Sequence, residues 1–227
     1  MSLQYIINNC DGITIDRRKM VGIQYTRNQI PRISETPTKN PWRFKISMPN
    51  SMKYGNVRNV LESIDNLDRR LPEVITFGNN PKLAWLFRYQ GQANISQLSN
   101  ITVSNFVGNQ LTLQNLPVMA ANNFLFKAND LIQLSEYAYP FTIVNDVPRG
   151  STGTVTVTTN RPNILTNAVI GQTLKYGANC EFTLFCTNMP TYKLIPGGTT
   201  YTDDILTGNA FISWDSEFEL YEYVGLS

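Results

Sequence analysis

Apolar side chains recur at every second position along most of this chain and at helical spacing along one stretch. Trp42, Phe44, Ile46 and Met48 alternate with Arg43, Lys45 and Ser47, which predicts a strand with one buried face and one wet, basic face. Val57, Val60, Leu61, Ile64, Leu67 and Leu71 fall at three- and four-residue steps, opposed by Glu62, Asp65, Asp68 and Arg69. This predicts an amphipathic helix over 56–71, capped by Asn56 and ended by Pro72. Strands follow at 73–77 and 83–89, the second with Leu83, Trp85, Phe87 and Tyr89 on one face, so that Trp42, Trp85 and Phe87 are expected in the core. Further strands are expected at 101–107, 111–116, 172–176, 181–186, 211–214 and 218–224. Residues 3–15 alternate loosely around the turn signal Asn8-Asn9-Cys10-Asp11-Gly12, which predicts a short hairpin.

The stretch 129–162 organises this pattern. Tyr137, Tyr139, Phe141 and Ile143 recur every second residue. After the turn residues Pro148-Arg149-Gly150-Ser151, Val155 and Val157 alternate with Thr154, Thr156 and Thr158. Two half-buried strands joined by a polar turn are expected, and a hairpin alone is not stable, so neighbouring segments should supply sheet partners. The fold class expected is mainly β with one amphipathic helix, as a barrel or sandwich. The domains expected are 1–95, with helix 56–71 and an N-terminal arm at 17–41, and 96–227, whose last strands return to the first sheet.

Composition agrees with strands and turns, being rich in Asn, Thr, Pro and Gly. No apolar run approaches the roughly 20 residues that span a bilayer, and the N-terminus has no basic region ahead of an apolar core, so synthesis in the cytosol is expected. Residues 1–88 carry 14 of the 19 Lys and Arg against 7 of the 17 acids, a balance of +7; the remainder carries 5 against 10, a balance of −5. Such asymmetry suits nucleic-acid binding by the basic part, head-to-tail stacking of subunits, or plain interleaving on a solvated surface. The Pro-interrupted stretch from Asp16-Arg17-Arg18-Lys19 to Pro41 reads as an extended arm or as a surface loop with an edge strand at 23–26.

Chemistry is sparse. The absence of histidine removes Ser-His-Asp and Cys-His catalysis and His-based metal sites. Gly150-Ser151-Thr152-Gly153 lacks the lysine and the helix of a phosphate loop. Asp203 and Asp204, and Asp215, Glu217, Glu219 and Glu222, are the only carboxylate clusters; Glu217 and Glu219 alternate with Phe218 and Leu220 as the wet face of a strand. Cys10, Cys180 and Cys186 are an odd set and are expected as reduced thiols. No catalytic, cofactor or metal residue is assigned, and a non-enzymatic role is expected.

The runs Asn129-Asp130-Leu131-Ile132-Gln133, Tyr139-Pro140-Phe141-Thr142-Ile143-Val144-Asn145-Asp146-Val147, Arg149-Gly150, Thr154–Thr158, Arg161-Pro162, Cys186–Leu194, Phe211–Asp215 and Phe218–Leu220 resemble small structural proteins of tailed-bacteriophage tail tips and baseplates. The order strand, helix, strand in the first half is similar to the tail-tube fold of tube, tube-initiator and distal-tail proteins, a β-barrel flanked by a helix that assembles into hexameric rings. The resemblance implies a ring joining the tail tube to the baseplate hub in the virion, assembled in the host cytoplasm. Its partners would be copies of itself, the tail tube protein and hub or wedge proteins, with no membrane and with DNA only as cargo passing through the channel. The interface residues it implies are Arg17, Arg18, Lys19, Arg27, Arg32, Trp42, Arg43, Lys45, Tyr139, Arg149, Arg161 and Tyr192. Two other readings are a carbohydrate-binding sandwich of a phage tail, stacking sugars on Tyr137, Tyr139, Tyr192 and Tyr201, and a nucleic-acid-binding barrel using the basic part.

Overall fold

Helical spacing governs the first residues: Leu3, Ile6, Ile7 and Cys10 lie three or four apart and are all buried. In the computed structural model, which describes residues 2–17, 21–25, 31–35, 41–49, 52–66, 71–165, 169–196 and 210–224, they make a helix and not half of a hairpin. That helix is α1 (Ser2–Asn8), followed by β1 (Gly12–Asp16), β2 (Val21–Tyr25), β3 (Pro31–Glu35), β4 (Arg43–Ser47), β5 (Met52–Lys53), α2 (Tyr54–Asn66) and β6 (Glu73–Thr76). The second half begins with the short α3 (Ile95–Leu98), then β7 (Thr102–Val107), β8 (Gln110–Gln114), β9 (Phe124–Phe126), β10 (Leu131–Leu134), β11 (Phe141–Thr142), β12 (Val147–Pro148) and β13 (Thr154–Thr158). It ends with β14 (Leu174–Tyr176), β15 (Glu181–Asn188), β16 (Tyr192–Ile195), β17 (Phe211–Trp214) and β18 (Phe218–Glu222). The protein is mainly β, and among the described residues no sheet closes into a barrel.

Contacts group the chain into two units. The first draws on Met1–Asp16, Pro41–Ile75 and Thr183–Tyr223, the second on Arg17–Asn40, Thr76–Phe182 and Val224–Ser227. Both units are discontinuous in sequence, where a single boundary near residue 95 was expected. In the first unit one sheet has the order β1-β4-β18-β15-β6, so a strand near the C-terminus lies beside one that precedes it by more than 170 residues, with Leu220 opposite Phe44. Phe44, Ile46, Phe218 and Leu220 are buried and Arg43, Lys45 and Glu219 only partly so, the alternation expected for β4. Helix α2 starts at Tyr54, two residues before the expected cap, because β5 pairs with β17 and the Tyr54 N–H donates to the Ala210 carbonyl at 2.7 Å. Val57 and Leu61 of α2 pack with Ile212, flanked by Tyr5, Met52, Tyr54, Tyr192 and Trp214. Residues 67–70 of the expected helix lie outside the described residues.

The second unit is built on the three-stranded sheet β13-β8-β7. Here the expected hairpin is replaced. β13 pairs with β8, from Thr154 opposite Gln114 to Thr158 opposite Gln110, and the residues just past it meet the 137–143 segment through the Ile143–Thr159 bridge and the Thr142–Asn160 bonds. That segment is not half-wet: Ala138 and Thr142 are buried along with Tyr137, Tyr139, Phe141 and Ile143. A buried backbone needs partners, and side chains supply several. Gln133 Nε2 donates to the Tyr137 carbonyl at 3.0 Å, and the Thr142 N–H donates to Asn160 Oδ1 at 2.7 Å.

Residues 83–89 also depart from the expected strand. Asn80, buried, accepts the Lys82 N–H on its side-chain oxygen at 2.9 Å, while its carbonyl accepts the N–H groups of Leu83 and Ala84. Successive turns follow, with Leu86 bonded back to Leu83 and Arg88 to Trp85. In that geometry Leu83 and Phe87, four apart, face inward, and Phe87 joins Phe77 and Phe182 with ring centroids 5.3 Å from each. Trp85 is turned to solvent. Gly177 permits the close approach of this segment, since its φ is +55° and a Cβ there would meet the Tyr89 nitrogen at 2.7 Å and the Phe87 carbonyl oxygen at 2.8 Å.

Candidate interaction surfaces

Most of the cationic and aromatic side chains expected at an interface are used inside the fold. Arg43 Nη2 meets Glu219 Oε2 at 2.9 Å, Lys45 Nζ meets Glu219 Oε1 at 2.8 Å, and the Arg43 guanidinium lies 5.2 Å from the Tyr221 ring. Arg149 donates to the carbonyls of Pro117 (2.9 Å), Gly150 (3.1 Å) and Thr152 (2.7 Å). Arg161 is buried and stacks 4.6 Å from the ring of Tyr139, itself buried. Trp42 is buried and stacks on Phe44, and half-buried Tyr192 packs on Trp214. Arg17 is half-buried after β1, and Arg32 stands in β3 opposite Gln24. Arg18, Lys19 and Arg27 lie outside the described residues, as does Tyr201. Burial of Tyr137 and Tyr139 removes two of the platforms on which the sugar-stacking reading relied.

The Glu219 cluster sets a pH dependence. Hydrogen bonds from Lys45 and then Arg43 hold its carboxyl below the usual range. A carboxyl lowered in the folded state contributes stability above its unfolded pKa of about 4.3, and that contribution is lost as pH falls through the folded value. Comparing urea midpoints of the wild type and Glu219→Gln from pH 7 downward should show a modest gap that closes in acid and narrows in high salt.

The second unit also presents several large apolar and aromatic side chains to solvent. Trp85 is 68% exposed, its indole fixed by donation from Nε1 to the Lys82 carbonyl at 2.7 Å. Three residues on, the exposed Arg88 lines a cleft of about 360 Å³ together with Tyr89, Ile95, Leu98, Lys175 and Tyr176. Ile95 is 65% exposed on α3, whose start is capped by Asn94 accepting the Ser96 N–H at 3.1 Å. Lys175 pairs with Glu181 at 2.6 Å. Burial raises the Tyr89 hydroxyl to about 12 and pushes the Tyr176 hydroxyl higher still, so both are neutral at physiological pH; Tyr89 donates to the Leu125 carbonyl. Val118, at 91%, is the most exposed of the large apolar residues described. Sequence periodicity missed Trp85 because positions 83, 85 and 87 fit an alternating strand as well as a helical turn.

None of the three cysteines forms a disulfide; Cys10 and Cys180 are buried and Cys186 half-buried. Burial pushes the Cys180 thiol far up, which makes it unreactive. Among the described residues no group of three or more His, Cys, Asp or Glu is placed to hold a metal, and no helix is long and apolar enough to cross a membrane. The chain matches no protein-family model, and comparison with curated proteins finds no significant relative.

Proposed function

We propose that this chain is a structural subunit of a bacteriophage tail tip or baseplate, forming a hexameric ring between tail tube and hub in the virion. The observation that carries its assembling character is the exposed Trp85 beside Arg88 and the Ile95 cleft. Tyrosine and arginine lining an apolar cleft, with an exposed tryptophan three residues along the chain, are the composition of an interface centre, and a monomer gains nothing by leaving an indole in water. The resemblance of 129–220 to tail-tip proteins suggests the place in the virion. Its partners are then copies of itself, the tube protein and hub or wedge proteins.

Light scattering coupled to size exclusion, across protein concentration and at two salt levels, tests the reading. The expected result is a species of about six copies that weakens with salt. Trp85→Ser should shift its assembly midpoint by about 30-fold, the size of a 2 kcal/mol hot spot, while leaving the unfolding midpoint close to wild type. A monomer at every concentration that also fails to bind tube or hub protein would sink the proposal.

A further inference from the structure

The outer edge of β13 is open along most of its length, and its direction can be fixed strand by strand. Val103 of β7 bonds away from β8, its N–H donating to the Gln172 carbonyl at 2.9 Å and its carbonyl accepting the Gly171 N–H at 2.8 Å. In an antiparallel ladder the bonding direction alternates by residue, so β8 uses Leu111 and Leu113 to bond Val157 and Val155. Thr154, Thr156 and Thr158 therefore aim their backbone groups outward. The Thr158 carbonyl confirms the parity, since it accepts the Val144 N–H at 2.9 Å from the outer side. Pairing then stops. Among the described residues no strand lies against β13 on that side from Thr154 to Val157.

The chain that leaves Val144 does not close the gap. It diverges from β13 and spends its own backbone bonds on the opposite side, with Val147 opposite Phe126, the Arg149 N–H on the Asn123 carbonyl and the Gly150 N–H on the Ala121 carbonyl. Pro148 has no N–H to offer. Between this fixed wall and the β13 edge lies a cleft of about 460 Å³, lined among others by Asn145, Val147, Arg149, Thr154 and Thr156. Its charged groups are committed elsewhere: Asp146 to Lys127 and to the Ala128 N–H, and Arg149 to three carbonyls. The edge itself, Thr-Val-Thr-Val-Thr, carries no charge and no proline, the devices by which exposed edges are normally protected.

We infer that this cleft is an acceptor for one extended peptide strand from a partner protein, which adds to the β13-β8-β7 sheet beside β13. Outward N–H and C=O groups spaced at every second residue recognise a peptide backbone. The 145–149 segment stands beside the β13 edge and would meet its own counterpart if a second copy approached edge to edge, so the occupant is an extended peptide and not another β13. The peptide this site selects is uncharged and alternates small apolar residues, facing inward over Val155, with polar residues beside the exposed threonines. The inference goes beyond the assembly proposal and stands on the edge geometry whichever protein supplies the strand.

Amide hydrogen exchange by NMR on the full chain tests it, with the blocked pentapeptide acetyl-Thr-Val-Thr-Val-Thr-amide as probe. In the free protein the Thr156 amide should exchange at least about 100-fold faster than those of Val155 and Val157, which bond to β8. Saturating peptide should slow Thr156 by about tenfold or more. The same peptide N-methylated at alternate residues, so that its N–H groups toward β13 are lost, should have no effect. In Thr156→Pro, which deletes the outward donor while sparing the bonds to β8, the peptide should no longer slow Thr154. A Thr156 amide already as protected as Val155, no slowing by the pentapeptide, or equal slowing by the N-methylated form would each overturn the inference.

Discussion

Phe141→Ala is expected to destabilise the second unit by about 4 kcal/mol, among the largest effects of any single truncation in it. Phe141 is completely buried, with ring centroids 4.8 Å from Tyr137, 5.3 Å from Phe106 and 5.5 Å from Tyr139. The first two pairs are edge-on, the arrangement that adds roughly 0.5–1.5 kcal/mol beyond burial alone. Neither the flanking backbone nor the neighbouring rings can collapse into the space, because Thr142 is tied to Asn160 in both directions and the Tyr137 hydroxyl accepts the Ile164 and Leu165 N–H groups at 3.0 and 3.2 Å. On a solvent-exposed segment the same substitution would lose less than the roughly 1.5–3 kcal/mol that burial of the side chain supplies. Equilibrium denaturation separates the two; a loss under about 2 kcal/mol would mean that the segment is not core.

Where one strand faces one sheet, its side-chain pattern was legible. Trp42–Met48 and Phe218–Leu220 alternate in sequence and in burial alike, because a strand's period of two holds wherever one side is core and the other water. That these strands are neighbours was only half legible: the return of the last strands was read, but no local signal names Glu219 as the partner of Arg43 and Lys45. Short apolar runs were ambiguous for a physical reason. Leu83, Trp85 and Phe87 satisfy an alternating strand, yet Leu83 and Phe87 also satisfy one helical turn, and the Asn80 side chain, accepting the Lys82 N–H two residues on, tips the balance. The same ambiguity hides α1, where Leu3, Ile6 and Ile7 fit a loose alternation as well as a helical period. The 137–143 segment failed differently: alternation marked its aromatic residues as inward but could not reveal that the intervening ones are buried too.

The interface residues illustrate the limit on charge as a signal. Net charge by region is visible in sequence, but Arg43, Lys45 and Arg149 meet carboxylate or carbonyl partners inside the fold. A long cationic side chain near a strand or turn is as readily a clamp as a contact. Exposure of an aromatic residue is more telling, since its burial elsewhere would be favourable, and it becomes visible only once the local turn geometry is known.

Asp130→Ala should cost the second unit about 3 kcal/mol, and the reason lies in acceptors and not in charge. Asp130 is 2% exposed; Oδ1 accepts the Gln90 N–H and Oδ2 the Lys127 N–H, each at 2.8 Å. Its own N–H bonds to the Lys127 carbonyl, and its carbonyl accepts the Ile143 N–H at 2.9 Å. One carboxyl thus joins the 89–91 segment to the turn before β10, which Asn129 enters with φ of 74°. Alanine strands two backbone donors without acceptors, at roughly 1–3 kcal/mol each. Asparagine keeps one acceptor and sets an N–H₂ against the other donor, so it should recover less than half of the loss. Burial raises the Asp130 carboxyl above its ordinary value, outweighing the backbone donors that pull it down. The sign follows: the folded state holds the proton longer, so the wild type's margin over Asp130→Asn is greatest below the unfolded pKa of about 3.9 and shrinks as pH rises toward the folded value. Denaturation curves for wild type, Ala and Asn variants between pH 3 and pH 7 test both parts, and a margin over Asn that grows across that window would mean that the ionised form, not the acceptor geometry, holds the two segments together.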